Sequence, residues 1–202
     1  INITGLVTSV KSWQDQPHFY IQDPNLNEWG GVYVYVGASD PLSIGDEVNF
    51  DAQVDEYYGV TELKNVESLE IISESNPLNV VPINTGDLGL DCGDGEKYEG
   101  MLVEFSSVTL ESIDEYGSYY VNDGTGTAKI DDYFFNFDGG YWPDLNVNST
   151  IDSVVGVVHY SYGEYVIYPR DLNDINEGAA DLILSSIYDI QYTSDPGDFC
   201  YE

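Results

Sequence analysis

The 202-residue chain carries 37 Asp and Glu against Lys11, Lys64, Lys97, Lys129 and Arg170, a formal net charge of -32. Such an excess repels phosphate backbones and anionic membranes, whose binding needs a basic surface to replace released counterions, so neither nucleic acid nor a bilayer is an expected partner. A hydrophobic content of 42%, with 18 Tyr, 7 Phe and 3 Trp, excludes a disordered acidic chain.

Apolar and polar residues alternate in short runs parted by Gly, Asn, Asp and Pro, the pattern of strands and turns. In chain order the first strands are expected over 3–13, 18–24, 30–37, 46–59 and 60–72. Five strands within one short stretch suit a small, partly closed barrel. The order then repeats over 100–113, 118–124, 127–137, 149–163 and 164–175. The run FYIQDP at 19–24 matches YYVNDG at 119–124, and Ile44, Val48 and Val54 match Val147, Ile151 and Val157. The economical reading is an all-β protein of two repeated domains. A first barrel spans 1–75, a connector with an acidic turn spans 76–98, and a second barrel spans 99–175. A strand-like tail over 176–202 closes the chain.

The runs TGLVTSV, FYIQDP, GVYVYVG and IGDEVNFDAQVDEYYGVTEL, with GVVHYSYGEYVIYPRDLNDI in the second copy, resemble the OB-fold repeats of secreted bacterial proteins, including accessory domains of extracellular nucleases. The resemblance implies two tandem five-stranded Greek-key barrels whose ligand face is formed by the middle strands and their loops. OB folds that hold single strands combine stacking aromatics with a positive groove. Aromatics are present at Tyr33, Tyr35, Tyr57 and Tyr58, but five basic residues cannot build such a groove, so the fold is expected without the nucleic-acid use.

Candidate sites are diffuse. DCGDGE at 91–96 places Asp91, Asp94 and Glu96 in a glycine-permitted turn, where carboxylates and carbonyls can converge on a hard cation; Asp131, Asp132 and Asp138 surround a second aromatic segment. Calcium is the expected cofactor, because clustered carboxylates need neutralising and magnesium demands stricter geometry. Cys92 and Cys200 form the one possible disulfide, within or between chains. His18 and His159 are read as strand residues, since no GxSxG, HExxH or comparable arrangement accompanies them. Trp13, Trp29 and Trp142 fit core packing better than a sugar-stacking platform.

The tail is apolar on both faces of an extended strand, with Leu182, Leu184, Ile187, Tyr188, Ile190 and Tyr192 as candidate assembly residues. Added to the edge of a neighbouring barrel, it would propagate an open filament. The expectation is therefore a secreted, extracellular, non-catalytic structural protein that self-assembles as a homopolymer and is stiffened by calcium. The alternative is a glycan- or protein-binding accessory module of a secreted enzyme.

Overall fold

The computed structural model describes residues 1–13, 16–35, 42–89, 94–135, 143 and 145–178. The first repeat forms β1 (Asn2–Trp13), β2 (Gln16–Gln22), β3 (Gly31–Val34), β4 (Glu47–Tyr57) and β5 (Val60–Ser73). They close in the order β1-β2-β3-β5-β4, with β3 and β5 parallel and the other pairs antiparallel. Side chains alternate across each strand, so Val48 and Phe50 enter the barrel while the intervening Asn49 turns outward to bond Asn2 and Thr4. Val7, Phe19, Ile21, Val34 and Leu63 complete that core.

The second repeat follows the same circuit with β7 (Leu102–Ile113), β8 (Tyr119–Asn122), β9 (Thr127–Ile130), β10 (Thr150–Ser161) and β11 (Glu164–Tyr168). Pairing of β10 with β7 closes it, and β9 with β11 is the parallel pair, as β3 with β5 is in the first copy. Two short strands flank this barrel: β6 (Val81–Pro82) lies on β7, and β12 (Ile175–Asn176) lies on β10. The chain is thus all-β, with two OB-like barrels in tandem. Several expected strands are shortened, among them β3, β9 and β11. β9 stops at Ile130, and the chain turns at Tyr133 and Phe134 because both rings pack outside the second barrel, against the first.

The connector is fastened by Asp123. Its carboxylate accepts from the Thr85 amide at 3.1 Å and hydroxyl at 2.8 Å, and from the Thr125 amide at 2.9 Å and hydroxyl at 2.6 Å. Partial burial opposes ionisation, but the bonds from Thr125 and Thr85 outweigh it and hold the group below the usual carboxylate range. Asp123→Ala is expected to cost about 2 kcal/mol, measured by urea denaturation, because it strands the buried Thr85 hydroxyl.

The barrels share an apolar interface. Tyr20, Tyr33 and Val60 of the first pack on Leu102, Phe134, Val157, Val166 and Tyr168 of the second. Polar links cross the same junction: the Leu102 amide donates to Gln22 Oε1 at 2.8 Å, Tyr20 Oη meets His159 Nδ1 at 3.0 Å, and Arg170 Nη1 donates to Thr8 O at 3.1 Å. Backbone meets backbone where Gly31 abuts Gly100, a contact too close for any side chain.

Candidate functional site

The β4–β5 and β10–β11 hairpins are the corresponding connections of the two repeats, and both turn through a Tyr-Gly pair. Tyr57 pairs with Val60 and Ser161 with Glu164, leaving the two-residue loops Tyr58-Gly59 and Tyr162-Gly163. All four loop residues have positive φ, 51° and 88° in the first loop and 52° and 95° in the second. That is the form of two-residue hairpin turn which normally selects Asn-Gly. Tyrosine in the left-handed region costs roughly 1–2 kcal/mol, and here it occurs twice at equivalent positions.

The rings are displayed. Tyr58 is 86% exposed, Tyr57 59% and Tyr162 fully exposed. Between the hairpins lies a groove of about 470 Å³, lined mainly by apolar surface of Tyr57, Tyr58, Val60, His159, Tyr160 and Tyr162. Gly59 sits against the Tyr160 ring, which a Cβ would approach to 2.5 Å, and Tyr160 packs on Tyr165 at 5.0 Å. The turn of one barrel is therefore seated on β10 of the other. A smaller cavity of about 260 Å³, lined by Tyr35, Asp55, Tyr57, Glu62 and Lys64, adjoins it through the shared Tyr57.

Carboxylates border the tyrosines on both faces of the first hairpin. Asp55 and Glu62 share the Tyr57 face, while Glu56 accepts from the Thr61 hydroxyl at 3.1 Å on the other. Glu99 lies in the barrel junction, 7% exposed, where its Oε2 accepts from the Thr61 amide at 3.4 Å and its Oε1 has no hydrogen-bond partner of good geometry among the described residues. Burial pushes its carboxyl up to about 7, opposed by the Thr61 and Tyr160 amides and reinforced by Glu96 and Glu56. Glu96 in turn accepts from the Tyr165 hydroxyl. Below the groove, burial holds His159 down to about 4, so the imidazole is neutral where it meets Tyr20. Burial likewise raises Tyr20 and Tyr168.

Every basic side chain is engaged within the protein. Lys11 is buried over the Tyr133 ring and donates to the Tyr133 carbonyl. Lys64 pairs with Asp55, and Lys97 with Glu28 at 3.0 Å. Lys129 meets Asp114 at 3.5 Å and Glu164 at 4.0 Å, and Arg170 meets Asp174 at 2.7 Å.

The residues singled out by sequence divide sharply. His18 and His159 are strand residues of β2 and β10, bonded to Tyr33 and Tyr20 respectively. Of the four tyrosines read as a ligand face, Tyr35, Tyr57 and Tyr58 are exposed near the groove, whereas Tyr33 is buried in the junction. Trp29 is 65% exposed and lines neither cavity. Asp91, Cys92, Asp138, Trp142 and Cys200 lie outside the described residues, as do Leu182, Leu184, Ile187, Tyr188, Ile190 and Tyr192. Asp94 precedes and Glu96 lies within a short 3-10 turn, Gly95–Tyr98, and Asp131 accepts from the Ser118 hydroxyl at 2.9 Å. Among the described residues no three His, Cys, Asp or Glu side chains, Asp132 included, gather into a metal-sized group. Sequence reading passed over Tyr162 and Glu99. The recurring Tyr-Gly pair at 58–59 and 162–163 was the available signal for the first; Glu99 is one acid among 37.

No protein-family model matches the chain, and no curated protein matches it. Solved structures do share its architecture. A murine DNA-binding protein bound to double-stranded DNA is 10% identical with a TM-score of 0.43, over 83% of this chain and 93% of that one. The Ifi202 HINa domain in complex with a 20-base-pair duplex is 9% identical with a TM-score of 0.39, over 83% and 91%. The tetrameric p202 HIN2 is 14% identical with a TM-score of 0.39, over 83% and 88%. At these values the likeness is one of fold. The narrower resemblance to secreted bacterial OB repeats has no counterpart among them.

Three expectations are corrected here. Two of these similar structures are complexes with duplex DNA, which runs against the expected absence of a nucleic-acid partner drawn from net charge. Net charge describes a whole surface, whereas a stacking contact is local and needs only an aromatic face. The self-assembling filament and its accessory-module alternative are set aside with that expectation.

Proposed function

We propose that this chain is a non-catalytic binding protein whose ligand lies in the groove between the two Tyr-Gly hairpins. The carrying observation is the pair of equivalent turns, each holding a tyrosine in the left-handed region with its ring in solvent, both lining one groove. Strain of that kind persists where display of the side chain is worth its cost. The connection between the fourth and fifth strands is also one of the loops with which OB folds take ligands, and here both copies aim it at the same place. The non-catalytic part of the reading rests on chemistry: the two imidazoles are committed to tyrosine hydroxyls rather than to a nucleophile.

The test is the double variant Tyr58→Asn and Tyr162→Asn. Asparagine suits both turns, so the fold is expected to keep or gain about 1 kcal/mol in urea denaturation. Amide and aromatic NMR shifts of the parent, recorded with spermidine, an arginine-rich peptide, a single-stranded oligonucleotide and a DNA duplex in turn, are expected to move at the groove for at least one probe, and the double variant to lose that response. Shifts that cluster away from both hairpins, or that survive the double substitution, would place the ligand site elsewhere.

A further inference from the structure

We propose that the ligand of this groove is a linear organic polycation, an alkyl polyamine; the inference rests on the groove being the binding site. The lining and its border differ in kind, and that difference carries the argument. Apolar tyrosine surface forms the walls, and carboxylates lie close by: Glu62 in the adjoining cavity, Glu56 on the other face of the first hairpin, and Glu96 and Glu99 beside Tyr165 and Tyr160. A polyamine has the complementary make-up, ammonium groups separated by short methylene runs. Its methylenes cover tyrosine faces while its ammonium groups reach carboxylates or lie over the rings, where the quadrupole attracts them.

Two further features favour that ligand. Glu99 Oε1 is buried with no hydrogen-bond partner among the described residues, beside the backbone of Thr61 and Tyr160. Lys64, which lines the adjoining cavity, is paired with Asp55 and so does not draw on Glu56 or Glu96. Hard inorganic cations fit less well, since they need several oxygens converging on one point and no such group forms among the described residues. A charge distributed along a chain suits acids spread around a groove. A volume of about 470 Å³ is also the size of a small-molecule site.

An anionic surface attracts any polycation loosely, so the experiment separates a site from an ion atmosphere. Titration calorimetry of the full chain with spermidine in 150 mM salt is the first arm. It is repeated with magnesium at matched charge, with the double asparagine variant at Tyr58 and Tyr162, with Glu56→Gln, and with Glu70→Gln, an exposed acid near the far end of β5. The expected result is saturable one-to-one binding of spermidine that weakens at least tenfold in the double variant and at least threefold in E56Q. E70Q should stay within twofold of the parent. Equal binding by all four proteins, or equal binding of magnesium and spermidine, would overturn the polyamine assignment in favour of ion condensation. Groove shifts produced by an oligonucleotide, a duplex or an arginine-rich peptide, with none from spermidine, would also overturn it while leaving the groove as the site. Silence of the groove toward every probe would remove both readings.

Discussion

Gly31→Ala is expected to divide a single unfolding transition into two and to cost about 3 kcal/mol or more. A Cβ at Gly31 would lie 2.2 Å from the Gly100 carbonyl carbon and 2.3 Å from the Met101 nitrogen. These are backbone atoms, which have no rotamer to move aside. They also lead directly into β7, whose Leu102 bonds Gln22 and belongs to the shared apolar core. One methyl group therefore pushes one barrel off the other and loosens Tyr20, Tyr33 and Tyr168 together. Differential scanning calorimetry checks this: the parent should melt once, and the variant should show two separated transitions. A variant that melts once at the parental temperature would mean that the barrels tolerate a gap between them.

Glu99→Gln should remove a pH dependence that the parent shows. Burial holds the Glu99 proton to about pH 7 in the folded chain, whereas the unfolded chain releases it near the ordinary value of 4.5. Between those values the folded state binds more protons, so this group's contribution falls as pH rises. It is fully present below pH 4.5 and lost by about pH 7, and amounts to at most ~3 kcal/mol. Glutamine stays neutral throughout and keeps an acceptor for the Thr61 amide. E99Q should therefore match the parent near pH 4.5 and exceed it by about 2 kcal/mol at pH 8 in urea denaturation, the discount reflecting relaxation around the charge. His159, held at about 4, acts with the opposite sign below pH 6.5, but it is common to both proteins and cancels in their difference. Parallel pH profiles for the two would show that the junction solvates the Glu99 charge.

The barrels were legible because period-two alternation is a local property of strands: Val48 and Phe50 inward with Asn49 outward can be read without knowing the partner strand. The recurrence of FYIQDP as YYVNDG marked the second copy for the same reason, since β2 and β8 occupy the same place in the circuit. The junction was not legible. Tyr20 and Tyr33 satisfy the strand pattern equally well whether their rings meet solvent or a second barrel, and only the docking of β7, β10 and β11 decides it. β9 was read too long because Tyr133 and Phe134 continue an aromatic run, although they leave the sheet to cover that junction. The groove was half visible. Tyr57 and Tyr58 were noticed as aromatics, but that they share a groove with Tyr162 depends on how the two turns are brought together, and Glu99 becomes distinctive only through its burial.

The shared interface also bears on how the chain is made. Tyr20, Tyr33 and Val60 emerge early, and the last side chain that covers them, Tyr168, lies more than a hundred residues later. At about 5–20 residues per second, a nascent first barrel waits on the order of ten seconds with that apolar face bare. The dense negative charge around it serves a nascent chain well in that interval, because neighbouring chains on one messenger repel each other before their sticky faces meet.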